Sequence, residues 1–226
     1  TTDAVVEGVH FSRPAFSLED VGYKALAVNL SDLAAMGARP TWFVCALGLS
    51  RRDGPGEVRR LARGMAALAR AYRIALVGGN FTRAPGLSVT ITAAGEVKPG
   101  RALLRKGAKK GDLLYVSGTL GEARLGVALL GKGAARPGLQ RRSPSEADLA
   151  AVVKRQRRPS PRVALGLIAA RFAHAAIDLS DGLAQDLGHL CLASRASAQV
   201  ELARLPLSPA LVRCAGGRPR ALALAM

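Results

Sequence analysis

A capped helix followed at once by a strand constrains the fold more than any other feature of this sequence. Ser17 and Asp20 have the spacing of an N-terminal capping box, and Gly37 is typical of a helix end. Apolar residues recur between them at helical spacing, at Leu26, Leu30 and Leu33. Residues 41–49 are β-branched and apolar, which indicates a strand. The sequence therefore predicts a helix and a strand that are close neighbours along the chain.

The same alternation of strands and helices extends over the first hundred residues. Strands with their exits are predicted for residues 2–11, 74–77 and 87–97. A second helix is predicted to begin at Pro55, a residue well suited to a first helical turn, and to run to Tyr72. An alternating order of this kind is typical of an α/β domain.

A second domain is predicted to follow a basic, glycine-containing connection at residues 98–110. We place the boundary so that the two domains comprise residues 1–99 and 100–226. In the second domain, strands are predicted for residues 113–118, 175–179 and 198–202. Helices are predicted for residues 125–130, 161–171 and 182–193, and a solvent-facing loop for residues 131–146.

The formal charge of +17 raises the question of a nucleic-acid partner. The basic residues are spread over the whole chain and few aromatic residues accompany them, so the sequence disfavours nucleic-acid binding. It has no apolar stretch of membrane-spanning length and no signal-peptide pattern at its start, which predicts a cytoplasmic protein without a membrane partner. The three cysteines are too scattered for a disulfide framework or a zinc site, and we expect them to be small buried residues.

Two acidic residues, Asp178 and Asp181, bracket a predicted strand-to-helix turn in the sequence IDLSDGL. Asp178 ends an apolar strand and Asp181 precedes Gly182 at the start of a helix, so both carboxylates can converge just beyond the sheet edge. Hard oxygen ligands in this arrangement suit Mg²⁺, which takes one or two carboxylates and completes its shell with water and phosphate oxygens. The alternative is that Ser180 or Asp181 only caps the following helix.

Asp32 lies within the first predicted helix among apolar residues, where a carboxylate costs helix propensity and, if buried, desolvation. A bound cation would offset that cost. A hydrogen bond from Asn29 or a solvent-facing position would do so too. Asp3, near the start of the first strand, is equally open to either interpretation.

The run VGGNFTR at residues 77–83 follows a predicted strand and contains a glycine pair that allows close backbone approach. Its arginine can pair with phosphate. The run matches neither the P-loop nor the dinucleotide-binding glycine pattern, which disfavours both classes of nucleotide site. The sequence also lacks the signature of a Ser/His/Asp or Cys/His nucleophile and of a zinc cluster.

Taken in order, these segments resemble the thiamine-monophosphate kinase family, within the superfamily that includes aminoimidazole-ribonucleotide synthetase, selenophosphate synthetase and a hydrogenase-maturation protein. The resemblance is carried by the segments TTDAVVEGVHF, YKALAVNLSDLAAMGARP, VGGNFTR, GRALLRKGAKKGDLLYVSGTLG, RPSPR and AIDLSDGLAQDLGHL. They span nearly the whole chain, and the phrases LSDLAAMGA and IDLSDGL are highly specific.

The resemblance implies an α/β (α+β) protein with the two-domain aminoimidazole-ribonucleotide synthetase-like fold. Its N-terminal domain would bind ATP and Mg²⁺ and pair its sheet with that of a second subunit in a homodimer, and its C-terminal α/β domain would be incomplete in this sequence. The implied activity is phosphorylation of thiamine phosphate to thiamine diphosphate, by direct in-line transfer of the γ-phosphoryl group of ATP.

The resemblance also assigns residues to roles, position by position. The implied Mg²⁺ ligands are Thr2, Asp3, Asp32, Asn80, Asp178 and Asp181. The implied nucleotide contacts are Thr1, Gly79, Asn80, Arg105 and Ser180. His10 is the implied contact to thiamine phosphate, although a single histidine after a strand is more often structural. No further catalytic group is implied, because the acceptor phosphate is already an anion.

The sequence departs from the family pattern within the chain and at its ends. Asn80 stands where the family usually has an aspartate, so an uncharged amide oxygen replaces a carboxylate and the Mg²⁺ affinity is expected to fall. An acidic GDDAA-type segment is expected before residue 1 and an SGGEDYE segment after residue 226. The sequence is therefore expected to be part of a longer chain. Two alternatives stay open: a sister phosphotransferase acting on another acceptor, and an inactive nucleotide-binding relative.

Overall fold

The computed structural model describes residues 1–131 and 144–226, and these residues divide into two compact units. The first unit comprises Thr1–Leu103 together with Arg157–Ala173, and the second comprises Leu104–Gln156 together with His174–Met226. Most of the predicted loop at residues 131–146 lies outside the described residues.

A four-stranded sheet forms the centre of the first unit. Its strands are β1 (Thr2–Val6), β2 (Arg39–Leu49), β3 (Ala75–Arg83) and β4 (Ser88–Glu96), in the spatial order β1-β4-β2-β3. Strands β2 and β3 run parallel, whereas β4 pairs antiparallel with both β1 and β2. The strands β1 and β3 are therefore the two edges of the sheet.

Two long helices accompany the sheet, α1 (Leu18–Ala35) and α2 (Pro55–Tyr72). The Ser17 hydroxyl accepts a hydrogen bond from the Asp20 N–H at 3.1 Å, which confirms the predicted start of α1. The helices approach closely because glycines lie where they touch. A Cβ atom on Gly22 would be 2.1 Å from the Leu61 carbonyl oxygen, and one on Gly64 would be 2.0 Å from the Glu19 carbonyl oxygen.

The segment 157–173 packs with the first unit, although the sequence placed it in the second domain. It contains the short helix α5 (Val163–Ala169). The Arg158 Nε atom donates to Asp20 at 2.5 Å, and the Tyr72 hydroxyl donates to the Pro161 carbonyl oxygen at 2.9 Å. These contacts join residues that are far apart in the sequence, so local sequence patterns did not indicate them.

Helices dominate the described part of the second unit. They are α3 (Glu122–Leu130), the greater part of α4 (Glu146–Arg157), α6 (Leu183–Ser194), α7 (Pro209–Ala215) and α8 (Arg218–Ala225), with a short 3₁₀ turn at Leu202–Arg204. Four of these helices share one buried cluster, formed by Leu125, Val152, Leu211, Cys214, Ala215 and Ala221. The helices predicted near residues 125–130 and 182–193 are thus confirmed with small shifts of their ends.

The predicted strands at residues 113–118, 175–179 and 198–202 are absent from the described residues, which is a correction to the sequence prediction. These segments contain many apolar residues, but a strand forms only where a neighbouring strand supplies the partners for a hydrogen-bonded ladder. Within the described residues of the second unit no such ladder forms. Tyr115 is consequently 82% exposed, and Leu113 is exposed as well.

Cys45 and Cys214 are buried as predicted, whereas Cys191 is half-buried, and all three are free thiols. Burial raises the pKa of the Cys45 thiol to about 11. Across residues 1–131 and 144–226, we find no helix with the length and apolar character that crossing a bilayer requires.

Candidate functional site

Strand β1 and helix α1 bring three of the predicted site residues to one side of the sheet in the first unit. The Thr1 hydroxyl donates to the Asp32 carboxylate at 2.5 Å. Thr1 also exchanges two backbone hydrogen bonds with Ala93, each of 2.9 Å, so it continues the pairing of β1 with β4. Because side chains alternate along a strand, Thr1 and Asp3 project to the same face. That face is the buried one, since Asp3 pairs with the fully buried Ile91.

Asp32 obtains its hydrogen-bond partner from Thr1, the residue before β1, and not from its own helix. The Asn29 side-chain amide donates to the Ala25 carbonyl oxygen at 3.0 Å, so the hydrogen bond to Asp32 considered from the sequence is not formed. The Asn29 Oδ1 atom is buried and has no hydrogen-bond partner among the described residues. The half-buried Asp32 carboxylate is thus held by a residue that is itself a predicted nucleotide contact, Thr1.

Lys24 lies near Asp3 and is not among the site residues predicted from the sequence. Burial lowers the pKa of its ammonium group to about 8, and the Asp3 carboxylate acts in the opposite direction. The Lys24 Nζ atom lies 5.4 Å from the centre of the Phe16 ring, within the range of a cation–π contact. Its spacing of eight residues from Asp32 within the apolar run YKALAVNLSD was the available signal, because it places both residues near one side of a helix.

Thr2 and Asn80 lie on the opposite face of the same sheet. The Thr2 hydroxyl donates to the Ile91 carbonyl oxygen at 3.2 Å and accepts from the Thr92 hydroxyl at 3.0 Å. Asn80 pairs with the exposed Ala46, which shares its row with Thr90 of β4. The structure therefore does not bring the Thr2 hydroxyl or Asn80 together with the Asp3 side chain.

Strand β3 includes the whole run VGGNFTR, which the sequence analysis placed after a strand as a weak candidate for a phosphate loop. Gly79 explains why. A Cβ atom at this position would be 2.0 Å from the Cys45 carbonyl oxygen, so only glycine lets β3 approach β2 so closely. This packing accounts for Gly79 whether or not the residue also contacts a nucleotide.

In the second unit, the turn that carries Ser180 and Asp181 is held by a residue that sequence reasoning missed. One carboxylate oxygen of Asp186 accepts hydrogen bonds from the backbone N–H groups of Ser180, Asp181 and Gly182, at 3.0, 3.1 and 3.2 Å. Asp186 is only 3% exposed. Neither Ser180 nor Asp181 caps α6, because the residue at its N-cap is Gly182. The alternative capping role is therefore wrong, and the Asp181 carboxylate instead accepts from the Gln185 amide at 3.2 Å.

The exposed Arg105 lies in a segment that is tied to two other parts of the second unit. The Ala176 N–H donates to the Leu104 carbonyl oxygen at 3.0 Å. The Ser194 hydroxyl donates to the Arg105 carbonyl oxygen at 2.9 Å. The first of these bonds fixes the segment of Arg105 beside the segment that leads to Asp178.

His10 lies in an exposed turn after β1, and its ring orientation is set by the backbone. The Val6 N–H donates to the His10 Nδ1 atom at 3.1 Å. A neutral ring that accepts at Nδ1 carries its proton on Nε2, so the Nε2–H group is the one available as a donor to a ligand. The turn thus presents a directed hydrogen-bond donor to solvent.

An ion-pair network fixes the segment that carries His10. The Arg13 guanidinium donates to both Glu7 carboxylate oxygens, at 2.9 and 3.1 Å, and to Asp53 at 2.6 Å. The hydrogen bond from Arg13 lowers the pKa of Glu7. Burial raises the pKa of Asp53, but hydrogen bonds from Ser50 and Arg13 outweigh it and lower the pKa below the ordinary value.

Among the described residues, no three histidine, cysteine, aspartate or glutamate side chains lie close enough together to hold a metal ion by themselves. The first unit instead offers the carboxylates of Asp3 and Asp32 on one side of the sheet, and the second offers Asp178 and Asp181 on one turn. Mg²⁺ commonly binds through one or two carboxylates and completes its shell with water and phosphate oxygens. In each unit taken by itself, these oxygen atoms are of the kind that binds Mg²⁺ when a phosphate-bearing ligand completes the shell.

Comparison with known proteins identifies the family. The family model described as AIR synthase related protein, N-terminal domain, matches residues 1–97. The crystal structure of thiamine-monophosphate kinase from Stenotrophomonas maltophilia K279a has 45% sequence identity and a TM-score of 0.90, and the similarity covers 100% of this chain and 69% of that chain. The chain belongs to the thiamine-monophosphate kinase family.

Other members of the thiamine-monophosphate kinase family agree with this assignment. The enzyme from Escherichia coli strain K12 is 46% identical over 213 residues, which are 94% of this chain and 62% of that protein. AaThiL, solved in complex with AMPPCP and TMP, has 33% identity and a TM-score of 0.88, and the similarity covers 100% of this chain and 70% of AaThiL. The chain thus spans about three fifths of the length of its curated relatives.

Proposed function

We propose that this protein phosphorylates thiamine monophosphate to thiamine diphosphate, with ATP as the phosphoryl donor. Its relatives at 44% and 46% identity are named thiamine-monophosphate kinase, and AaThiL was solved with AMPPCP and TMP. The observation that carries the proposal is structural: in a chain of this family, the Thr1 hydroxyl and the Asp32 carboxylate meet at 2.5 Å beside a strand that also presents Asp3. These are oxygen donors of the kind that a nucleotide with its cation requires.

The proposed reaction is an in-line displacement. An oxygen of the acceptor phosphate forms a bond to the γ-phosphorus of ATP, and the bond from that phosphorus to the bridging oxygen breaks, so ADP leaves with its electron pair. The acceptor phosphate is already ionised, so its attack needs no general base. The chain must therefore hold two anionic groups in line, which is the main source of catalysis in phosphoryl transfer.

The roles proposed for individual residues are those that the family resemblance implies. The residues proposed to contact the nucleotide are Thr1, Gly79, Asn80, Arg105 and Ser180. His10 is proposed to donate its Nε2–H group to the acceptor phosphate, because its Nδ1 atom already accepts from the backbone. Side-chain donors of this kind position the acceptor and neutralise part of its charge.

Mg²⁺ is the cation proposed to accompany ATP. As ligands of Mg²⁺ we propose Asp3 and Asp32 in the first unit and Asp178 and Asp181 in the second, with further oxygen atoms from Thr2 and Asn80. When bound, it would neutralise the charge of the phosphate oxygens. The four carboxylates themselves carry negative charge, so they favour a nucleotide only when cations lie between them and the phosphates.

We further propose that the working form is a homodimer in which each site draws on both chains. Asp3 lies on β1 and Asn80 on β3, at opposite edges of the sheet. Three strand spacings separate these edges, on the order of 14 Å, so one chain does not bring the two residues together. Every residue of β3 is exposed, and Phe81 is 65% exposed. An edge strand with exposed apolar side chains favours association with another chain.

The proposed activity is tested on the product of the complete coding region. Purified protein is incubated with ATP, Mg²⁺ and thiamine monophosphate, and thiamine diphosphate is measured by chromatography. We expect product that depends on all three components. Nucleotide binding without product would instead identify an inactive relative, and turnover only with another phosphorylated acceptor would identify a sister phosphotransferase.

A further inference from the structure

Asp186 occupies a position that a phosphate group takes in many nucleotide sites. Backbone N–H groups that converge at the start of a helix form a ready-made anion site, because each carries a partial positive charge. Here the N–H groups of Ser180, Asp181 and Gly182 all converge on one oxygen atom of Asp186. The anion in this site is therefore a side chain of the protein itself.

The burial and position of Asp186 favour the hydrogen bonds that it accepts. Asp186 is 3% exposed, and its carboxylate carries the charge that strengthens hydrogen bonds from N–H donors. It also lies in the first turn of α6, where a negative charge interacts favourably with the helix dipole. A phosphate from solvent would have to displace an anion that is already buried and hydrogen-bonded.

The occupied N–H groups limit how this turn can contact a ligand. Because the backbone N–H groups of residues 180–182 are used internally, they are not available to a phosphate, and the side-chain groups of the turn for binding a cation or a nucleotide are the Ser180 hydroxyl and the carboxylates of Asp178 and Asp181. We propose that Asp186 is a positioning residue that holds the backbone of this turn, so that the oxygen atoms of these side chains point toward the cation and the nucleotide. This inference rests on the proposed kinase function.

The conformation of the turn supports a specific role for Asp186. Gly182 has a φ of 123°, a backbone conformation that other residues rarely adopt. The N–H groups of three successive residues point inward only in such a bent backbone. Without an acceptor at their centre these part-buried N–H groups would lose their shared hydrogen-bond partner. The turn would then relax, and the side chains of Ser180 and Asp181 would change direction.

The test compares substitutions at Asp186 in the full-length protein. D186A removes the acceptor, whereas D186N keeps an oxygen acceptor of the same size without the charge. We measure the Mg²⁺ concentration for half-maximal activity, kcat, and the KM values for ATP and thiamine monophosphate. Titration of Mn²⁺ with ATP by electron paramagnetic resonance reports on cation binding without turnover. Thermal unfolding is measured in parallel for each variant.

A matched control exists in the same unit. Asp148 is also a buried aspartate in the first turn of a helix, and its carboxylate accepts from the Ser145 N–H and from the Arg213 guanidinium. It is joined to none of the proposed ligand residues by these bonds. D148N is therefore expected to lower the unfolding temperature and to leave the Mg²⁺ midpoint unchanged.

For D186A we expect the Mg²⁺ midpoint to rise about tenfold or more, as for other groups that orient metal ligands, with a fall in kcat and an unchanged KM for thiamine monophosphate. D186N is expected to show a smaller shift in the same direction. A folded Asp186 variant with the wild-type Mg²⁺ midpoint and kcat would overturn the inference. If D186A does not fold, the Mg²⁺ midpoint and kcat of D186N, compared with those of wild type, test the inference.

Failure of the inference can be told apart from failure of the proposed function. If wild-type protein forms no thiamine diphosphate, the kinase proposal fails, and the Mn²⁺ titration alone still tests the role of Asp186. If wild-type protein is active and D186N binds Mn²⁺ and ATP as wild type does, only the inference fails.

Discussion

Single side chains fix the segments that carry the candidate site residues. Arg13 joins Glu7, before the His10 turn, to Asp53, which follows β2, and Asp186 holds the turn of Ser180 and Asp181. Thr1 joins β1 to α1 through Asp32. In each case a charged or hydroxyl group is hydrogen-bonded to a distant or folded-back segment, so loss of one side chain releases more than its own contact.

Substitution of Asp53 tests the network in which Arg13 joins Glu7 to Asp53. The Asp53 side chain is fully buried and accepts from Arg13, from the Ser50 hydroxyl and from the Ser50 N–H. D53A removes these acceptors and is expected to lower the free energy of unfolding by about 1–3 kcal/mol. Urea unfolding followed by circular dichroism measures this change. Stability equal to wild type would show that the network contributes nothing net.

The same network predicts how stability depends on pH. Glu7 and Asp53 have pKa values below their ordinary values of 4.5 and 3.8 in the folded protein. A depressed pKa means that the unfolded state binds protons first, so the stabilisation is complete above the unfolded pKa values and is lost as the pH falls through the folded ones. We expect the unfolding temperature to fall as the pH is lowered from about 5 to 3, and to fall less steeply in D53N. If the unfolding temperature depends on pH equally in wild type and D53N, the Asp53 carboxylate is not the source of the pH dependence.

Asn80 gives a prediction about the cation. An amide oxygen can bind Mg²⁺ but contributes no charge, so N80D is expected to lower the Mg²⁺ concentration for half-maximal activity or to raise turnover. A Mg²⁺ titration of wild-type and N80D protein measures both quantities. Identical curves would indicate that residue 80 lies away from the cation.

Sequence reasoning at this scale succeeded where a residue acts on its immediate neighbours. The Ser17 cap of α1 follows from a local pattern, and the structure has it. Lys24 was overlooked because a lysine on a helix is usually read as solvent-facing, whereas here burial shifts its pKa. Asp186 was overlooked because its acceptor role depends on the folded-back turn before it, which no spacing rule describes.

At the scale of elements, glycines decide how closely the helices and strands pack. Gly22 and Gly64 lie where α1 and α2 touch, and Gly79 lies where β3 meets β2. The sequence showed α1 and α2 clearly through capping and periodicity, but it ended the third strand before the glycine pair. Glycine is rare within strands, so only the contact of β3 with β2 reveals why it is there.

Substitution of Gly64 tests the packing of α1 on α2. The Cβ atom of G64A would be 2.0 Å from the backbone oxygen of Glu19, so the helices must move apart. We expect a loss of about 1–3 kcal/mol in the free energy of unfolding. Gly56 in the same helix is the matched control, because a Cβ atom there meets nothing within 4 Å. G56A is expected to leave stability unchanged or to raise it, because alanine favours a helix more than glycine does. An equal loss in both variants would show that the contact with Glu19 is not the cause.

At the scale of the whole molecule, the separation of Asp3 and Asn80 on opposite edges of the sheet is the strongest argument for a site shared between two chains. The predicted strands of the second unit could not be judged from their composition alone, because a ladder requires a partner strand. The family itself was visible in the sequence because its motifs are long and ordered.

Mixed dimers test the shared site. In co-expressed D3N and N80K chains, a shared site predicts one intact site in each mixed dimer, and about half of the wild-type activity per mixed dimer. The control pairs wild type with a D3N/N80K double variant, and a shared site then leaves no intact site. Separately tagged chains allow the mixed dimers to be purified before assay. Activity in the control dimer without activity in the first dimer would show that each site lies within one chain.

The return of residues 157–173 to the first unit has a consequence for the order of events during synthesis. The strands and long helices of the first unit are complete once Leu103 has left the ribosome, but the residues that bond to Asp20 and Tyr72 follow much later. At ordinary translation rates this interval lasts roughly 3–12 s. During that time the nascent first unit lacks α5, and the intervening chain of the second unit must emerge before the first can be completed.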